Sequence, residues 1–322
     1  MLAVYAESIS RTDPLSGLVV GERPDPTPQE GWVEVELRAA TLNHHDLWSL
    51  QGVGLPEDRL PMILGCDAAG IGPDGSEVIV HSVIASPTWR GDETLDPRRS
   101  LLSEVHQGTF SERFVVPAGN LVPKPEGMSW QTAASLPTAW LTAYRMLFTN
   151  ADVDPGGLVL VQGAGGGVAT ACIQLGAAAG LRVWVTGRDE QKRARALELG
   201  AEAVFESGAR LPEKVDAVIE TVGAATWSHS VNVLRPGGTI VIAGATSGDA
   251  PTKAELTKIF FRQLRVVGST MGTSVELERL SRLVQSAGIE PVIDSTFALP
   301  DARSAFERLN SGEAFGKVAL TA

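Results

Sequence analysis

The stretch from Leu158 to Gly180, LVLVQGAGGGVATACIQLGAAAG, constrains the fold of this 322-residue chain more than any other. Leu158 to Val161 is a short apolar run that reads as a strand. Gly163, Gly165, Gly166 and Gly167 follow at once, and Val168 to Ala179 is small, apolar and helix-compatible. Strand, glycine turn and helix in this order make a dinucleotide-binding unit. The glycines let the backbone approach a pyrophosphate, and the helix N-terminus presents unpaired N–H groups to it.

The texture of the chain differs on the two sides of Pro123. Before it, short β-like runs such as Val33–Leu37, Val78–Val80 and Phe114–Val116 are punctuated by Pro24, Pro26, Pro28, Pro56, Pro61, Pro73 and Pro87. This pattern predicts a compact β-rich domain with long loops. After it, strand-like runs at 159–161, 183–185, 203–205, 217–219, 240–242 and 266–267 alternate with helical stretches such as 189–199, 252–263 and 274–287. Alternation of this kind predicts an α/β domain, a doubly wound parallel sheet with helices on both faces. Pro291–Ile293 and Val318–Leu320 look β-like again. The expected division is therefore 1–122 for the β-rich domain, 123–287 for the nucleotide domain, and 288–322 for a tail returning to the first.

Composition narrows the partners. A net charge of −11 opposes a nucleic-acid surface, which needs clustered cations. The apolar segment 168–179 is short and broken by Thr170 and Gln174, so no membrane span is expected. Met1 to Asp13 lacks a basic start and an apolar stretch, so no signal peptide is expected. Two distant cysteines, Cys66 and Cys172, exclude a disulfide framework and fit a reducing cytoplasm.

The end of the second nucleotide-domain strand selects the cofactor. An NAD-binding unit carries a carboxylate there, about 20 residues past the glycines, to hold the ribose 2′-OH. Here the stretch is Val185-Thr186-Gly187-Arg188, with no carboxylate before Asp189. A guanidinium pairs with a 2′-phosphate that a carboxylate would repel. The Thr186 hydroxyl as donor, Gly187 for backbone access, and the cations Arg188 and Lys192 all point to NADP(H). NAD(H) stays the alternative if Arg188, Lys192 and Arg193 form only the solvated face of a helix.

With these parts in order, the chain resembles the medium-chain dehydrogenase/reductase superfamily, in its zinc-free, quinone oxidoreductase-like branch. Leu42-Asn43-His44-His45-Asp46 with Gly52 resembles that family's first active-site loop, and Leu64-Gly65-Cys66-Asp67-Ala68-Ala69-Gly70 its second. Gly108–Glu112 and Leu121–Pro125 match the exit from the first domain, and Leu136-Pro137 with Leu141–Tyr144 the entry helix of the second. Ala169 stands where most members have glycine. The resemblance implies a GroES-like catalytic domain and a Rossmann domain with the active site between them. It implies cofactor contacts from Asn43, Thr142, the glycine turn through Val168, Thr221, Val222, Gly244, Ala245, Thr246, Ser269, Thr270 and Lys317. It implies a substrate pocket that includes His44, Trp48 and Thr138. Members often dimerise through the edge strand, here around Arg265–Val267, so a homodimer is expected.

Zinc-using members hold the ion with Cys, His and a second Cys, at positions that correspond here to Asn43, Cys66 and Thr138, with Asp67 for a nearby Glu. Only Cys66 is a plausible donor, and the four cysteines of their structural zinc lobe are absent. His44 and His45 are adjacent and project differently, so both do not reach one ion. No metal is therefore expected, and Cys66 reads as a small buried hydrophobe. Without a Lewis acid the natural acceptor is already activated: a quinone, an enone or an α,β-unsaturated thioester. Asn43 is the first catalytic candidate, because its amide hydrogen-bonds without titrating. Asp46 serves either a proton relay or the cap of the next helix. Two alternatives stay open: a zinc-dependent alcohol dehydrogenase and a non-catalytic NADPH-binding protein.

Overall fold

The computed structural model describes all 322 residues, which form two compact units: Met1–Leu141 with Met271–Ala322, and Thr142–Thr270. No helix is long and apolar enough to cross a membrane.

The first unit is built around one long strand, Trp32–Thr41. Its alternating first half pairs with Arg113–Pro117. Its second half lies between Asp67–Ile71 and Lys317–Thr321, antiparallel to both. Register places Thr41 opposite Asp67 on one side and opposite Ala319 on the other. In the tail, Ile293–Ala298 and Lys317–Thr321 pair in parallel, joined through the helix Ala302–Asn310. That helix buries Ala302, Ala305, Phe306 and Leu309, four residues at helical spacing, in a core shared with Val4, Leu37, Leu50 and Phe110.

The second unit is a six-stranded parallel sheet in the order Ala203–Glu206, Arg182–Gly187, Leu158–Gln162, Val215–Glu220, Leu234–Ile242, Arg265–Gly268. In sequence order this is 3-2-1-4-5-6, the dinucleotide-binding arrangement. Strand order reverses between Leu158–Gln162 and Val215–Glu220, and every residue of Leu158–Gln162 is buried. The helix expected at 252–263 is confined to Leu256–Phe261, because Glu255 at its start takes a left-handed backbone conformation.

The boundary between the units differs from the expected one. Residues 123–141 and 271–287 belong to the first unit, not to the nucleotide unit. The helix Trp130–Ser135 packs on the strands Trp32–Thr41 and Asp67–Ile71. The helix Ser274–Ser286, closed at its start by reciprocal Thr273 and Glu276 hydrogen bonds, packs on 136–140 and on Leu121–Pro123. Its apolar stripe reads as a helix from sequence, but only tertiary contacts decide which sheet it covers.

Candidate active-site residues

In the first unit the two motif loops meet around one buried carboxylate. Asp67 is fully buried, and its Oδ2 accepts from Thr41 Oγ1 at 2.7 Å, Asn43 Nδ2 at 2.8 Å and Lys317 Nζ at 3.1 Å. Strand register brings these groups together: Thr41 faces Asp67 across one ladder and the Lys317 strand across the other. Lys317 spends its other two N–H bonds on Leu42 O at 2.8 Å and Asn43 Oδ1 at 2.6 Å. Its side chain is 3% exposed. The reading of Lys317 as a cofactor contact is therefore corrected: all three of its donors are committed inside this unit. Asn43, 8% exposed, is clamped through both ends of its amide and keeps one N–H for a ligand.

Asp46 closes the start of its helix. Its Oδ2 accepts from Asn43 N at 2.7 Å at the start of the helix His44–Leu50. Burial pushes its carboxyl up to about 6, against the opposing charge of His45. Its Oδ1 has no partner. His44 is exposed, with its ring edge-on to Trp48 at 6.3 Å. The Thr138 hydroxyl is buried without a partner in a wide π turn, Leu136–Trp140.

Cys66 is more than a small hydrophobe. Its Sγ lies 3.3 Å from His45 Nδ1, 3.3 Å from Leu102 O and 3.5 Å from Ser103 Oγ. His45 Nε2 lies 2.9 Å from Glu104 Oε1. Burial alone would lower the His45 pKa, but the Cys66 and Glu104 contacts outweigh it and hold the ring well above its usual value. Leu102 and Ser103 end the polar stretch 86–103, and Glu104 follows it.

In the second unit the glycine turn has the expected form. Gly163 adopts φ +90°, open to glycine. Gly166 precedes the twelve-residue helix Gly167–Ala178, which has no side-chain cap, and a Cβ at Gly166 would meet nothing. The helix N–H groups are thus left for a ligand, and the residues fit a dinucleotide pyrophosphate. Gly187 is needed for packing: a Cβ there would lie 2.9 Å from Ala164 Cβ.

Thr186 is corrected as a phosphate donor. It is buried, and its hydroxyl donates to Gln162 Oε1. Gln162 Nε2 in turn donates to Ser230 Oγ at 2.9 Å, and Ser230 donates to Glu220 Oε2 at 2.6 Å. Buried Glu220 also accepts from Thr226 Oγ1 at 2.8 Å, Val222 N at 2.8 Å and Gly223 N at 3.0 Å. This network ties the ends of three strands together and shapes the Thr221–Gly223 turn. Gly223, at φ +91°, would place a Cβ 2.5 Å from Gly248 O. Thr221 and Val222 are held against Thr246 and Ser247 by backbone and hydroxyl bonds, beside Gly244 and Ala245.

Arg188 is exposed, and Asp189 caps the helix Glu190–Glu198 through Lys192 N. Arg193, read only as part of a charged face, braces this turn by donating to Gly187 O at 2.7 Å and Arg188 O at 3.1 Å. Ser269 accepts from Asn150 Nδ2 at 2.9 Å, and Thr270, next to it, is exposed. Thr142 is buried at the start of this unit.

The family model for the alcohol dehydrogenase GroES-like domain matches residues 29–126, and that for zinc-binding dehydrogenases matches residues 167–286. An acryloyl-coenzyme A reductase of Sulfurisphaera tokodaii is 30% identical over 324 residues, covering 95% of this chain and 96% of its own. A solved NAD-dependent alcohol dehydrogenase superimposes with a TM-score of 0.92 at 33% identity, covering 100% of both chains. A 2-octenoyl-CoA carboxylase reductase, solved with NADP and 2-octenoyl-CoA, superimposes with a TM-score of 0.92 at 25% identity, covering 99% of this chain and 87% of its own. The residues at the three corresponding zinc positions do not fit that ion. Asn43 offers an amide whose oxygen is 2.6 Å from the Lys317 ammonium, and Thr138 offers only an alcohol. A cation bound by these three would face a fixed positive charge at Asn43, with Cys66 the one donor among them that zinc favours.

Proposed function

This chain belongs to the medium-chain dehydrogenase/reductase superfamily, and from that premise we propose that it is an NADPH-dependent reductase of conjugated acceptors, with α,β-unsaturated acyl thioesters as the preferred class. The observation that carries the reading is Asn43 at a usual zinc-donor position, clamped between Asp67 and Lys317. A group without Lewis acidity does little for an alcohol or a simple ketone. It suffices for an acceptor whose conjugation already makes one carbon electrophilic. The acyl-CoA reductase relatives support the thioester class.

When bound, the reduced nicotinamide would supply a hydride to the β-carbon of the acceptor, and the enolate so formed would take a proton from water at its α-carbon. The remaining Asn43 N–H is the neutral donor for the carbonyl oxygen on which negative charge then develops. Its orientation is held by two partners, so little reorganisation is needed during the reaction. The open helix start after Gly166 receives the pyrophosphate. Arg188, on a turn braced by Arg193, pairs with the 2′-phosphate in place of the usual carboxylate. His44, Trp48 and Thr138 contribute to the acceptor pocket, and the edge strand Arg265–Gly268 pairs two copies into a dimer.

The test is cofactor oxidation, NADPH against NADH, across acryloyl-CoA, crotonyl-CoA, simple enones and quinones, with alcohol oxidation in parallel. Turnover of enoyl thioesters with NADPH preference is the expected result. Alcohol oxidation exceeding all reductions, or NADPH binding with no acceptor turned over, would replace the reading with one of its alternatives.

A further inference from the structure

We propose that His45, Asp46 and Cys66 form a binding site for one divalent transition-metal ion, with zinc the natural occupant, beside the position that Asn43 fills. One donor atom from each of the three lies within 4.8 Å of the others. The His45 Nδ1 to Cys66 Sγ distance is 3.3 Å. A nitrogen and a sulfur bound to one tetrahedral zinc sit roughly 3.5 Å apart, so this pair is already at ligand spacing.

The surroundings are those of a ligand set. Glu104 engages His45 Nε2, which leaves Nδ1 as the nitrogen facing the sulfur, as a carboxylate behind a metal-bound imidazole does. Asp46 is fully buried with one carboxylate oxygen unpartnered, an arrangement costly for a carboxylate unless a cation completes it. Thiolate and carboxylate together neutralise a doubly charged ion, which suits a buried site. Sulfur and imidazole donors select zinc or cobalt over magnesium or calcium. On binding, the Cys66 proton leaves to solvent and the sulfur–metal bond forms. Leu102 O and Ser103 Oγ line the remaining side. The ion takes no step in hydride transfer; it locks the helix His44–Leu50 to the 102–104 segment. The inference does not rest on the reductase reading and is read without acceptor or cofactor.

The experiment measures zinc by elemental analysis of the purified full chain, then titrates metal-free protein with cobalt(II) and records the sulfur-to-cobalt charge-transfer band. One ion per chain and a clear band are expected. Cys66→Ser and His45→Gln should abolish the band, and Glu104→Gln should weaken cobalt affinity about 10–100-fold. Cys172→Ser and Thr138→Val should leave both unchanged. If Cys66→Ser fails to fold, His45→Gln and Glu104→Gln, which alter partly exposed side chains, carry the test. Absence of stoichiometric metal together with absence of a band overturns the proposal. So does a band that survives His45→Gln, or one that Thr138→Val removes.

Discussion

Replacing Asp67 with Asn keeps the shape of the buried cluster but leaves the Lys317 ammonium without a counter-charge. The ion pair is 3.1 Å long between side chains that are 0% and 3% exposed. At an effective dielectric constant of about 20, the attraction at that distance is about 5 kcal/mol. Desolvating each ion costs several kcal/mol, so the intact pair is near break-even against an apolar replacement. Breaking it is a different matter, because the stranded charge keeps its desolvation cost while losing the attraction. Asp67→Asn and Lys317→Met should therefore each destabilise the first unit by about 3–5 kcal/mol. The double variant should lose less than the sum, with a coupling of at least about 2 kcal/mol, since neither charge is then stranded. Denaturant unfolding followed by tryptophan fluorescence is a suitable assay. Trp32, Trp48, Trp89, Trp130 and Trp140 lie in the first unit, against Trp184 and Trp227 in the second. Losses under about 1 kcal/mol that add within about 0.5 kcal/mol would refute the reasoning and show the pair to be effectively solvated.

Arg188→Ala should raise KM for NADPH about tenfold, the effect of losing a charge-assisted contact, and leave NADH unaffected; Arg193→Ala, which loosens the turn itself, should raise both. Equal effects of Arg188→Ala on the two cofactors would remove it from the 2′-phosphate. Glu220→Ala leaves the Val222 and Gly223 N–H groups without their acceptor and should cost about 2–6 kcal/mol, with a higher cofactor KM; an unchanged unfolding curve would count against the network. Hydrogen bonding from Arg308 lowers the Asp294 carboxyl from 3.8 to about 2. The ionised form is thus favoured by folding. This stabilisation, at most about 2 kcal/mol, is present above pH 4 and lost as pH falls through 2, a slope that Asp294→Asn should abolish in acid unfolding. Val266 is 44% exposed on the edge strand, so Val266→Lys should convert the proposed dimer to monomers by light scattering; a wild-type monomer at micromolar concentration would refute the dimer itself.

The nucleotide unit was legible because its signals are local. Strand period, glycine turn and the missing carboxylate at Gly187–Arg188 all lie within about 30 residues of one another, the span of one strand–helix–strand unit. The buried network behind it was not. Gln162, Glu220 and Thr186 are the polar ends of apolar strands, and from sequence such residues look like the start of a loop. A polar side chain directly after a run of three or four apolar strand residues was the available signal, since the sheet end it occupies is buried in this fold.

In the first unit the motif loops identified Asn43 and Cys66 but not what holds them. Lys317 is 250 residues from Asp67, and only the register of Trp32–Thr41 between their two strands brings them within bonding distance. The sequence places the C-terminal strand with the first domain and makes its lysine a cofactor contact. A lysine's sequence neighbours do not say which acceptors will face it; strand pairing does. One feature pointed inward all the same. Asp67 sits in the apolar run Cys66–Ala69, and a carboxylate buried there needs a counter-charge. With Thr41 opposite Asp67, the strand on the far side of Trp32–Thr41 is near enough to supply the cation, and Lys317 is the only cation that strand carries. Burial of one charge, joined to the pairing order of three strands, thus identifies the other. The same step explains why Asn43 is rigid, because the amide lies between the two charges and is bonded to both.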